Sequence, residues 1–179
     1  MALRKALSYS KKYARPYTRV SRNKAKAYIK VTPNNKIAKY NSGDSNAFRA
    51  GKFLFQLSLY STVDVQIRDN ALEAARQFLV KKMDEHVLGQ YYLELQVHPH
   101  HLLRNNKTAA GAGADRMSSG MKHSFGIIEG RAAMVPAGKS IYFIACATDQ
   151  GSRVAREAMG MIKSKLPGKT GIRFEKLVA

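Results

Sequence analysis

The chain holds a single cysteine, Cys146, so it cannot form an internal disulfide, and every multi-cysteine zinc module is excluded. Long apolar runs are missing too. The longest, Ile141-Tyr142-Phe143-Ile144-Ala145-Cys146-Ala147, falls far short of the roughly 20 residues that span a bilayer. No apolar stretch follows the basic N-terminus, which argues against a secretory signal, and neither a basic amphipathic helix nor a lipid-anchor motif is evident. A soluble intracellular protein with no membrane partner is expected. Acidic residues are scarce: 12 Asp+Glu stand against 31 Lys+Arg in 179 residues, a formal net charge of +19. Such an excess repels itself unless a polyanion neutralises it, so nucleic acid is the expected partner.

The deficit of acid is concentrated. Residues 1–43 contain none, the first being Asp44, yet carry Arg4, Lys5, Lys11, Lys12, Arg15, Arg19, Arg22, Lys24, Lys26, Lys30, Lys36 and Lys39. Tyr9, Tyr13, Tyr17, Tyr28 and Tyr40 are interleaved with them, and Pro16 and Pro33 interrupt any helix. Apolar periodicity is poor before Ala27-Tyr28-Ile29, so most of the segment buries too little surface to fold alone. An extended arm that threads along RNA is expected, its lysines and arginines neutralising phosphates and its tyrosines stacking on unpaired bases. A solvated tail or a nuclear-targeting signal would share the charge, but such tails seldom carry so many tyrosines.

From residue 44 to 179 a single globular domain is expected, with two strand–helix–strand units. Phe53, Phe55, Leu57 and Leu59 alternate with polar positions, the pattern of a half-buried strand. Asp69 or Asn70 can cap a helix running to about His86, with Leu72, Ala75, Leu79, Met83 and Val87 on one face and Lys81–Glu85 as an exposed pair. Gly89 stops it, and Tyr91, Leu93, Leu95 and Val97 mark the next strand. In the second unit, residues 140–147 are apolar on both faces and should lie centrally in the sheet. Asp149 or Ser152 can cap a helix facing inward with Ala155, Ala158, Met159, Ile162 and Leu166, ended by Pro167-Gly168. Gly160 inside it suggests close packing. Ile172 and Phe174 mark a last strand. The fold class is therefore α+β, a two-layer sandwich of a mixed or antiparallel sheet with two helices on one face.

Between the units, residues 105–120 are small, polar and glycine-bearing, and a protruding loop is expected at about 101–121. Arg104, Lys107, Arg116 and Lys122 ring it, and His98, His100, His101 and His123 lie in or beside it. Its glycines and alanines let backbone N–H groups approach phosphate or sugar.

Catalytic alternatives are weak. Gly111-Ala-Gly113 is a fragment of a dinucleotide fingerprint, and Lys107-Thr108 lacks the upstream glycines of a phosphate-binding loop. His98, His100 and His101 have no cysteine or second ligand cluster to complete a metal site; His98 more simply caps a strand end, with His100 and His101 near RNA or solvent. Cys146 lies in an apolar strand and reads as a core residue. Asp115 beside Arg116 reads as a loop-ordering pair. No acid/base pair emerges, and neither an enzyme nor a cofactor is expected.

The run Ala112-Gly113-Ala114-Asp115-Arg116, then Gly120-Met121-Lys122, Phe125-Gly126 and Gly130 to Val135, resembles the large-subunit ribosomal protein L sixteen family in its archaeal and eukaryotic form, also called L ten-e. Pro16-Tyr17-Thr18-Arg19, Pro33-Asn34-Asn35-Lys36-Ile37, Asn70-Ala71-Leu72-Glu73-Ala74-Ala75-Arg76 and His98-Pro99-x-His101 leading to Arg104-x-Asn106-Lys107 match as well. The chain departs from the pattern at Lys122, where arginine is common, and at Ile127-Ile128, where a more basic or proline-containing pair is usual. Lysine keeps charge but loses bidentate geometry.

The resemblance implies a large-subunit constituent of the cytoplasmic ribosome that binds ribosomal RNA near the aminoacyl-tRNA site and helps position tRNA near the peptidyl transferase centre. It implies ribosomal RNA, aminoacyl-site tRNA and other large-subunit proteins as partners, and no homo-oligomer. The ribosomal RNA contacts would be Arg4, Lys5, Lys11, Lys12, Tyr13, Arg15, Tyr17, Arg19, Arg22, Lys24, Lys26, Lys122 and His123. The tRNA-facing loop would comprise Arg104, Asn106, Lys107, Gly111, Gly113, Asp115 and Arg116. A free-standing RNA-binding regulator is the alternative with the same arm.

Overall fold

The computed structural model describes residues 32–105 and 127–177. Among these, the strands are β1 (Asn41–Gly43), β2 (Phe55–Ser61), β3 (Val65–Arg68), β4 (Tyr91–Leu95), β5 (His101–Asn105), β6 (Ile127–Val135), β7 (Ser140–Cys146) and β8 (Thr170–Lys176). The helices are α1 (Ser45–Arg49), α2 (Asp69–Val87) and α3 (Asp149–Ile162), the last followed by a 3-10 turn over Lys163–Lys165. The α+β sandwich expected from the pattern is present, and every strand pairing is antiparallel.

Strand β7 sits at the centre of a five-stranded sheet ordered β1-β4-β7-β2-β8. Its double-sided apolar character follows from that position: Ile141, Tyr142, Ile144, Ala145 and Cys146 are all inaccessible to solvent. Leu57 and Leu59 of β2 and Leu93 and Leu95 of β4 face the same core, into which α2 contributes Leu72, Ala75, Leu79, Met83 and Val87. Helix α3 adds Ala155, Ala158, Met159 and Ile162, with Leu166 beyond it. Both apolar stripes read from helical periodicity are therefore the buried ones. Each fully buried leucine or isoleucine contributes on the order of 2 kcal/mol from its removal from water. Tyr142 reaches through this core, and its hydroxyl donates to the Leu72 carbonyl at 2.5 Å.

Two features of the layout go beyond the sequence expectation. The four strands read from the sequence, β2, β4, β7 and β8, do share the large sheet, but β3, β6 and β5 form a second, three-stranded sheet in that order, which the sequence reading did not include. The periodicity of β5 and β6 is masked because their apolar residues adjoin glycines and charges rather than alternating cleanly. The opposite face of the large sheet is not bare either. Phe48 of α1 stacks on Tyr92 with centroids 4.4 Å apart, over a small cluster of Phe53, Tyr92 and Ala145. Asp44 caps that short helix by accepting from the backbone N–H groups of Asn46 and Ala47, both at 2.9 Å. The preceding Gly43 adopts φ +87°, and a Cβ there would collide with the Tyr91 carbonyl.

The caps also shift by a residue or so. Arg68 occupies the N-cap of α2, with no side-chain capping bond, and Asp69 lies in its first turn. Thr148, not Asp149 or Ser152, caps α3, its side chain accepting from Gly151 N–H. Gly89, at φ +74°, turns the chain out of α2 as read from the sequence. Gly160 is exposed, and among the described residues no atom outside its own helix backbone and chain neighbours lies within 4 Å of where a Cβ would stand, so close packing among them does not explain it.

Candidate nucleic-acid interface

Strands β5 and β6 form a hairpin whose final described pair is Asn105 opposite Ile127. The chain between them, 106–126, thus leaves and re-enters the body at one end of the three-stranded sheet. The first residues of the expected loop, His101–Asn105, belong to strand β5. Arg104 lies in β5, in register with Ile128. The beta-branched pair Ile127-Ile128 opens β6, which suits a strand. Asn106, Lys107, Gly111, Gly113, Asp115, Arg116, Lys122 and His123 lie outside the described residues.

Residues 32–39, placed in the arm on charge alone, pack on the body. Ile37 is buried in the main core. Two carboxylates of α2 receive the backbone here: Lys36 N–H donates to Asp69 and Ala38 N–H to Glu73, both at 3.4 Å. Asn35 braces the turn, accepting from Ile37 N–H at 3.2 Å and donating to the Tyr40 hydroxyl at 2.6 Å. Glu73 is itself held by Arg76, whose Nε and terminal nitrogen donate to its two oxygens at 2.8 and 2.6 Å. That bidentate bond, opposed by burial, keeps the Glu73 carboxyl below the usual carboxylate range and raises Arg76 further.

Arg131 of β6 completes the attachment, donating to the Pro33 carbonyl. Ile127, where the loop returns, lies four positions before Arg131 on that strand, about 13 Å at 3.3 Å per residue. The root of the basic arm and the base of the loop therefore meet on the same small sheet. The arm residues Arg4, Lys5, Lys11, Lys12, Tyr13, Arg15, Tyr17, Arg19, Arg22, Lys24 and Lys26 lie outside the described residues.

The histidines divide. Exposed His98 and His100 form a ring row with Tyr40, at 4.4 Å from Tyr40 to His98 and 5.6 Å from His98 to His100. His101 is buried in β5 rather than facing RNA or solvent. Among the described residues no group of three or more His, Cys, Asp or Glu is placed to hold a metal ion. Cys146 is buried, and burial pushes its thiol up to about 12, far from the range of a nucleophile at neutral pH. No described helix is long and apolar enough to cross a membrane.

Sequence reasoning missed Arg131 and the Tyr40–His98–His100 row. Arg131 had no visible signal, because its partner is a backbone carbonyl nearly a hundred positions away. The ring row was partly legible in the clustering of His98 and His100, but Tyr40 joins it only through the fold.

Comparison with known proteins shows the family. Residues 14–173 match the family model for ribosomal protein L16p/L10e. The chain is similar to the large ribosomal subunit protein uL16 of Archaeoglobus fulgidus, at 37% identity over 97% of this chain and 94% of the relative. It is similar to the protein of the same description from Pyrobaculum calidifontis, at 38% over 98% and 95% respectively. With that of Methanococcus aeolicus it shares 38% over 96% and 94%. The matches run over nearly the whole length of the chain, and it belongs to the L16p/L10e family of ribosomal proteins, not to a family of enzymes.

Proposed function

We propose that this chain is a constituent of the large ribosomal subunit that binds large-subunit RNA near the aminoacyl-tRNA site and helps to position tRNA near the peptidyl transferase centre. Family membership supports the ribosomal assignment. The observation that carries the finer reading is the convergence of arm root and loop base on one small sheet. The sandwich acts as a rigid mount, and the two cationic segments leave it from neighbouring points, so RNA anchored by the arm brings the loop to a defined place. The arm, with Arg4, Lys5, Lys11, Lys12, Arg15, Arg19, Arg22, Lys24 and Lys26, neutralises phosphates, while Tyr13 and Tyr17 stack in RNA junctions. Lys122 and His123 extend that contact. Arg104, Lys107 and Arg116 face tRNA, with Asn106, Gly111, Gly113 and Asp115 shaping the loop. Peptide-bond chemistry belongs to RNA in this reading.

Neutralising Arg104, Lys107 and Arg116 together to glutamine tests it. Correctly assembled mutant subunits should retain the protein through a moderate-salt wash but accommodate aminoacyl-tRNA more slowly in single-turnover assays. Wild-type accommodation speed would defeat the tRNA-facing role. Loss of the wild-type protein from the subunit in the same wash would favour the free-standing regulator instead.

A further inference from the structure

Among the described strands β8 lies at the edge of its sheet, bonded only to β2. Three contacts between cations and aromatic rings gather on this pair. Arg156 of α3 lies 4.9 Å from the Phe174 centroid, Lys176 lies 5.6 Å from that of Phe55, and Arg173 lies 5.5 Å from that of Tyr60. Phe55 and Phe174 are near-parallel at 6.4 Å, yet Phe174 remains 39% exposed. In register Phe174 is opposite Leu57 and Lys176 opposite Phe55, so both project from the side of the sheet that α3 covers. Among the described residues no carboxylate forms an ion pair with Arg156 or Lys176. Glu157 is exposed on the next position of α3, and alternation turns Glu175 to the other face of β8.

Lysine on an edge strand is a common guard against strand addition. That explains Lys176 but not an arginine on a neighbouring helix stationed over an exposed ring. Guanidinium planes and aromatic faces stack on unpaired bases whatever their sequence, and flanking cations neutralise the adjoining phosphates. We propose that Arg156, Phe174, Phe55 and Lys176 form a second RNA contact, at which an unpaired base stacks on the Arg156–Phe174 pair.

This ledge is at the Phe55 end of β2, whereas β3 and the three-stranded sheet follow its Ser61 end. The body then bridges two RNA elements, one held through arm and loop and one through the ledge. The inference rests on the reading that RNA is the partner, and the test separates the two.

The full-length chain is bound to deproteinised large-subunit ribosomal RNA over a series of KCl concentrations. Arg156→Gln with Lys176→Gln should lower the slope of log affinity against log salt by about 1 to 2, because each lost phosphate contact removes about one unit. Phe174→Leu, which keeps apolar packing on Phe55, should weaken binding about tenfold and leave the slope unchanged, since a lost base stack carries no counterion release. Thermal unfolding of each variant near the wild-type temperature establishes that the sandwich is intact. Wild-type affinity and slope in both variants would overturn the ledge while leaving the RNA-binding reading in place. Protection of Lys176 from amine acetylation in intact subunits, but not in the RNA complex, would also overturn it, pointing to a protein there. Failure of the unaltered chain to bind this RNA would overturn the functional reading and the ledge with it.

Discussion

The Nε–H of Arg131 donates to the carbonyl oxygen of Pro33 at 2.7 Å, joining the central strand of the small sheet to the segment where the basic arm meets the body. A charged donor on a backbone acceptor is a strong hydrogen bond, and this one is half-buried. Arg131→Ala should lower stability by about 1 to 2 kcal/mol. A urea midpoint that falls at constant m would register it, together with faster tryptic cleavage after Lys36. Cleavage at the wild-type rate would mean that Asp69, Glu73 and buried Ile37 hold the root without Arg131.

The Glu73–Arg76 pair makes stability depend on acid. Arg76 holds the folded-state pKa of Glu73 below its ordinary value of 4.5. The unfolded chain therefore binds this proton more readily than the folded one. The stabilisation is complete above the ordinary carboxylate value and is lost as pH falls through the depressed folded value. Glu73→Gln should cost about 3 kcal/mol at pH 7, because it strands a buried guanidinium. The gap between variant and wild type should narrow steadily as denaturation is followed from pH 5 towards pH 3. A gap independent of pH would show that the pair contributes through packing alone.

Gly160 offers a gain. It lies inside α3, is exposed, and has open space where a Cβ would stand. Gly160→Ala should stabilise the protein by about 0.5 to 1 kcal/mol through helix propensity and reduced freedom of the unfolded chain. Calorimetry should show the melting temperature rising by a few degrees, and no rise would indicate a neighbour at Gly160 in the folded state.

Much of the architecture was legible along the chain. The stripe from Leu72 to Val87 and that from Ala155 to Leu166 were readable because helical burial repeats every three or four positions. Strand β7 was readable because a central strand must be apolar on both faces. The small sheet was not, since β3 is short and β5 and β6 carry Arg104, Gly130 and Arg131 among their apolar residues, and pairing depends on partners distant in sequence. Caps were off by a residue or so because Asp69, Asn70, Asp149 and Ser152 are all chemically able to cap, and only the backbone path selects Arg68 and Thr148.

The excess of cations and the acid-free first forty-three residues already pointed this protein to a polyanion, because 12 carboxylates cannot neutralise 31 Lys+Arg and a net charge of +19 is left over. Tertiary structure alone decided where that charge is mounted. The Asp69 and Glu73 carboxylates and the Arg131 guanidinium converge on backbone groups of residues 33–38, and the pairing of β5 with β6 brings the loop base to the same sheet. Hydrogen bonds to main-chain atoms carry no residue signature, so this meeting of the arm's root and the loop's base is written only in three dimensions.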